Sequence, residues 1–137
     1  MTELELRVAA TSATFDRFNG QAFTLGKVDC ARMVAFHLKQ LGFKSSLLKA
    51  GAYSTEVGAR RALQRLGVAS LAEIMDQHFP RIAPAEARTG DIVCGPGLGD
   101  TGNAMAVRLH RNTALAFLDG VCGEVVIHEH VAAWRVV

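Results

Sequence analysis

Hydrophobic residues change their period at Pro84, and that change restricts the chain to a fold with helices first and strands after. Before it, apolar side chains recur three and four apart; after it, they come in short runs cut by Gly, Asn and Asp. Leu4, Val8, Phe15 and Phe18 predict a helix from about Glu3 to Phe18 closed by Asn19-Gly20, although Thr11, Ser12 and Thr14 weaken it. Residues 21–28, with Phe23 and Leu25 alternating, predict a short extended link. Met33, Val34, Phe36, Leu38 and Leu41 then predict a helix of about three turns that starts at an Asp29 N-cap and stops at Gly42. Ser54 caps a third helix that ends at Gly67, and Ser70-Leu71-Ala72-Glu73 is a capping box opening a fourth, closed by Pro80.

Beyond Pro84, residues 90–95, 104–109, 113–118, 124–128 and 133–137 read as strands. Arg111-Asn112 suits a two-residue hairpin turn, so the strands are expected to pair in sequence, antiparallel. The expected fold class is α+β: one domain over 1–137, helical to about 83 and sheet from about 88, with the helices covering one face. Gly97-Leu98-Gly99-Asp100-Thr101-Gly102 has the spacing of a dinucleotide fingerprint, but a strand follows it where a phosphate-binding helix is required, so it is read as a loop.

Several function classes are disfavoured. No apolar run reaches the roughly 18 residues of a membrane span, and the acidic start Met1-Thr2-Glu3-Leu4-Glu5-Leu6 is unlike a signal peptide. A net charge of +2 is too mild to argue for nucleic acid, and Arg60, Arg61 and Arg65 on one helix, without interleaved aromatics, read as a solvated face. Cys30, Cys94 and Cys122 are odd in number and far apart, without Cys-x-x-Cys or paired His, which argues against disulfides or structural zinc and suits a reducing compartment. No cofactor or metal is expected. Cys94, in the first of these strands, is expected to be buried, and Cys122, in a turn at 120–123, exposed.

Cys30 has two readings. In the first turn of its helix, beside unpaired N–H groups and the positive dipole end, it favours thiolate and is a candidate nucleophile. It also lies on the stripe of Val34, His37 and Leu41, which would make it core.

Asp29-Cys30 at a helix start, Gly90-Asp91-Ile92-Val93 opening a strand, and the strand from Ala104 to Leu109 behind a Gly-rich loop resemble the NlpC-type branch of the papain-like fold. Its members are bacterial and phage cysteine peptidases that cut the stem peptides of peptidoglycan. The likeness runs from about Phe23 to the C-terminus. With Ala133-Trp134-Arg135 near its end, the chain is similar in particular to a short, signal-free group of tailed phages and prophages.

The resemblance implies acyl transfer: Cys30 as nucleophile, a His on the facing sheet as base, a third polar group orienting the imidazole, and helix-start N–H groups forming part of an oxyanion site. The position where the family carries its His falls here on Ala104, preceded by Asn103, and neither is a base. His110 lies about 20 Å along the same strand. His128, the weak alternative base, and His130 would point inward only if their strand returns beside the helix. His37, about 10 Å beyond Cys30 by helical rise, reads as a packed or partly exposed core residue, and His78 as a helix-end residue.

Two roles follow from the resemblance. One is a virion-borne peptidase at the tail tip or baseplate that acts on peptidoglycan. The other is a non-enzymatic adaptor that keeps the fold and docks other tail-tip or hub proteins after cytoplasmic synthesis. A third reading, an acyl or amide transferase with His128 as base, needs a different strand order.

Overall fold

The computed structural model describes residues 1–43, 56–65, 67–68, 70–95, 104–128 and 131–136. Along the chain these form α1 (Glu3–Phe18), α2 (Cys30–Gln40), α3 (Glu56–Arg65), α4 (Leu71–His78), β1 (Arg81–Ile82), a 3-10 turn (Pro84–Glu86), β2 (Ile92–Gly95), β3 (Ala104–His110), β4 (Thr113–Leu118), β5 (Val121–Val126) and β6 (Ala132–Trp134). The strands make one antiparallel sheet in the order β1-β6-β2-β3-β4-β5, and the class is α+β.

Local chemistry sets most boundaries. Thr2 caps α1 by accepting from the Glu5 N–H, and Asn19 ends it. Thr11 and Thr14, poor helix formers, are tolerated because each hydroxyl lies within hydrogen-bond distance of the carbonyl four residues back, Arg7 O at 2.7 Å and Ala10 O at 2.9 Å, and both side chains face inward. Ser70 caps α4 through the Glu73 N–H. The Arg111-Asn112 turn joins β3 to β4 as expected, with Arg111 at φ 48°.

Four expectations change. The expected extended link holds for residues 21–23, which pair with the start of β5 (Cys122 N–H to Gln21 O, Phe23 N–H to Gly120 O), whereas residues 24–28 close a tight turn, Val28 N–H to Thr24 O. β1 lies within the stretch read as helical. β6 does not extend the run of hairpins but inserts between β1 and β2. The β4–β5 turn is Asp119-Gly120, with φ 53° and 81°, so β5 begins at Val121 and Cys122 is a buried strand residue, not an exposed turn residue. Burial pushes the Cys122 thiol up to about 11. Cys94 is buried, as expected. The Ser54 cap, Leu66 and the Gly97–Gly102 loop lie outside the described residues.

The pleat divides the sheet into two faces. Ile92, Cys94, Met105, Val107, Leu115 and Trp134 pack with Met33, Val34 and Leu38 of α2, Ala10 and Phe18 of α1 and Met75 of α4. Val93, Ala106, Ala114 and Ala133 occupy the opposite face. Trp134 is fully buried, and its Nε1–H donates to Asp76 Oδ1 at 2.9 Å, tying β6 to α4. No helix among the described residues is long and apolar enough to cross a membrane. Arg60, Arg61 and Arg65 are exposed on α3.

Candidate functional site

Asp29 is the N-cap of α2: Oδ1 accepts from Arg32 N at 2.8 Å and Oδ2 from Gly26 N at 2.7 Å, and the residue is buried. Cys30 follows as the first helical residue. Its side chain is half-buried beside the start of β3, where the backbone N–H groups of Met105, Ala31 and Cys30 itself lie close enough to favour charge on the sulfur. These donors favour thiolate, yet the thiol lies above its ordinary pKa. Desolvation dominates, and the Asp29 carboxylate adds to it. Burial and the Asp29 carboxylate thus act against the thiolate that a helix start favours. A helix dipole contributes roughly 0.3–1 kcal/mol, less than it costs to charge a sulfur packed against a sheet. The charged neighbour of Cys30 is a carboxylate and not an imidazolium.

Asp29→Asn separates these effects. The amide oxygen still accepts from Arg32, while one accepted bond and the charge are lost. Stability is expected to fall by about 1 kcal/mol, and Cys30 is expected to ionise at a lower pH than in the parent. Urea unfolding and the pH dependence of Cys30 alkylation read the two outcomes.

The opposing strand start does not hold a base among the described residues. Ala104 pairs with Gly95 and shares the parity of Ala106, so its side chain belongs to the face turned away from α2. The residue turned toward α2 is Met105, which with Ala31, Val34, Leu71 and Met75 lines a small apolar depression. The position assigned to the family's histidine is thus one residue out of register with the face it must serve. Asn103 and His130 lie outside the described residues.

The other histidines are spread through the fold. The N–H of Ile127 donates to Asn112 O at the β3–β4 turn, so the exposed His128 sits at the far end of the sheet, about 20 Å from Ala104 by strand rise. It is not placed to serve Cys30. His110 is at that same end and pairs with Glu124 at 3.0 Å. His78 is exposed in the last turn of α4. His37 is fully buried, with Nδ1 2.9 Å from Thr14 Oγ1 and Nε2 2.8 Å from Gly90 O, and burial holds it below its ordinary pKa.

A buried ionic cluster that periodicity did not reveal lies at the entry to β2. Asp91 Oδ1 accepts from Arg7 Nη1 at 2.9 Å and Val136 N at 3.2 Å; Oδ2 accepts from Arg88 N at 2.9 Å and Arg135 Nε at 3.2 Å. Arg7 also reaches Thr89 O and Glu3, and Arg135 reaches Glu86 O. Gly90 has φ +89°, and a Cβ there would lie 3.2 Å from Thr11 Oγ1. The Gly90-Asp91 and Trp134-Arg135 pairs, quoted above for the resemblance, thus form a frame that joins both ends of the domain. Their signal in the sequence was a Gly-Asp pair before a strand and an Arg after a Trp, but only the fold reveals that they meet.

No group of three or more His, Cys, Asp or Glu side chains suited to a metal ion occurs among the described residues. None of the curated proteins compared matches the chain. Residues 4–136 match the family model DUF6950, a domain of unknown function, and the chain belongs to that family.

Proposed function

We propose that this chain is a papain-like domain of NlpC type that has lost its catalytic base and serves as a non-hydrolytic component of a phage tail tip. One observation carries the proposal: the sulfur at the start of α2 lies against the start of β3, and the side chain facing α2 there is Met105. A nucleophile helix packed on an antiparallel sheet is the arrangement the resemblance implies, and an apolar residue in place of the imidazole leaves the thiol protonated. General base catalysis is typically worth about 10² to 10⁴ in rate, so turnover without it is negligible. The tail-tip assignment is supported by the sequence likeness of Asp29-Cys30 and Ala133-Trp134-Arg135 to the short phage group. Other tail-tip or hub proteins are then the partners.

A second reading, a peptidase whose base comes from another chain, is favoured by the place of Cys30 at the start of α2, where backbone N–H groups without helical partners are the kind of donor an oxyanion needs. Incubation of the purified protein with muropeptides tests both. The proposal expects no cleavage by the parent and no difference from Cys30→Ala. Cleavage that depends on Cys30 overturns it, and a parallel His130→Ala variant reports whether that residue is the base. Mass spectrometry of purified virions is expected to find the chain in the tail fraction; its absence there contradicts the tail-tip role.

A further inference from the structure

His37 touches three elements at one point. It belongs to α2, its Nδ1 meets Thr14 of α1, and its Nε2 meets the Gly90 carbonyl at the entry to β2. A carbonyl only accepts, so Nε2 carries a proton. The Thr14 hydroxyl has one proton and two partners at 2.9 Å, His37 Nδ1 and Ala10 O. With the ring uncharged, that proton goes to Nδ1. In the imidazolium, Nδ1–H donates to Thr14 Oγ1 and the hydroxyl turns to Ala10 O. Both states satisfy every ring nitrogen, so gaining a proton breaks no bond here. It changes only the charge.

Burial opposes that charge: the ring is fully buried, and desolvation outweighs the attraction of Asp91 at the β2 entry, with Arg7 of α1 adding a smaller repulsion. Asp91 is already shared by Arg7 and by Arg135 after β6, and Arg108 of β3 also interacts with it. An imidazolium there adds a buried cation beside a carboxylate already shared by two guanidinium groups, and water reaches the ring only when the packed elements part. The polar ties of α1 to the rest of the domain, Arg7 to Thr89 and Asp91 and Thr14 to His37, converge on this same spot.

We propose that His37 is a proton-operated bolt: uncharged, it pins α1 and α2 to the entry of β2, and on protonation it releases α1. This device does not depend on the function proposed above. The direction follows from linkage. An imidazole that is harder to protonate in the folded state stabilises that state fully above its ordinary pKa of about 6.5. The contribution is lost as pH falls below that value, until the folded form itself takes the proton. Over that window the pinned-to-released ratio falls by up to about tenfold per pH unit, for one proton.

Hydrogen exchange of the full chain between pH 7.5 and 5, corrected for intrinsic exchange, is expected to show protection of residues 3–18 falling with acid. His37→Gln, which keeps a donor and an acceptor but cannot ionise, is expected to remove that dependence. Protection of α1 that is independent of pH, or an equal dependence in the variant, overturns the proposal. If the variant fails to fold, the NMR titration of the parent decides. His37 is expected to titrate below the ordinary histidine value of about 6.5, with Thr14 resonances moving in step; titration at or above that value overturns it.

Discussion

Asp91→Ala is expected to cost about 3–5 kcal/mol, a large share of the roughly 5–15 kcal/mol that holds an ordinary domain together. Asp91 is fully buried and Arg7 nearly so, and the carboxylate also accepts from two backbone N–H groups. Its removal strips two arginines of their shared counter-ion and leaves the Arg88 and Val136 amides without that acceptor. The loss comes from charge left uncompensated out of water, which exceeds what the intact pair contributes. Urea unfolding should show a lower midpoint, and thermal unfolding a fall of roughly 10 °C or more. In Arg7→Ala/Asp91→Ala the guanidinium that loses this counter-ion is itself absent, so the double variant should lose less than the sum of the singles. A single variant within about 1 kcal/mol of the parent would show that the cluster is not what fastens α1 to the sheet.

Met105→His is expected to raise the rate of Cys30 alkylation at neutral pH by roughly 10²-fold, the low end of what a positioned base supplies. Position 105 is the one whose backbone N–H lies near enough to favour charge on the sulfur and whose side chain lines the depression beside α2. An imidazole there has the thiol within reach, and its protonated form favours the thiolate that Asp29 disfavours. Replacing a buried Met by a polar ring costs about 1–3 kcal/mol, which urea unfolding would detect. Ala104→His serves as the control, because that side chain is turned to the opposite face and should leave the thiol unreactive. If Ala104→His activated Cys30 and Met105→His did not, the register assigned to β3 relative to α2 would be wrong.

Signals confined to a few consecutive residues were legible. The bounds of α1, the Asp29 cap of α2, the Ser70 capping box and the Arg111-Asn112 turn all depend on partners within four positions. The parts that escaped are set by contacts between distant segments. β6 returns to β2 because Trp134 fills the core against α4 and Arg135 meets Asp91, 44 residues away in the chain. Which of Ala104 and Met105 faces α2 depends on strand register, and a shift of one residue reverses every side chain. The helix dipole at Cys30 is legible from the sequence, whereas the burial that opposes a charge there depends on how the elements pack. His37 was readable as a packed histidine, whereas its bridge from Thr14 to Gly90 needed three segments brought together.

A helix-start sulfur that stays protonated because burial and the Asp29 carboxylate oppose its charge is the state from which the proposed loss of catalysis follows. Site-resolved alkylation of Cys30 as a function of pH, followed by mass spectrometry so that Cys94 and Cys122 do not interfere, measures that state directly. The account predicts that Cys30 reacts only at higher pH than the same cysteine in the urea-unfolded chain. A reactivity plateau already reached at neutral pH would mean a stabilised thiolate, and would contradict it.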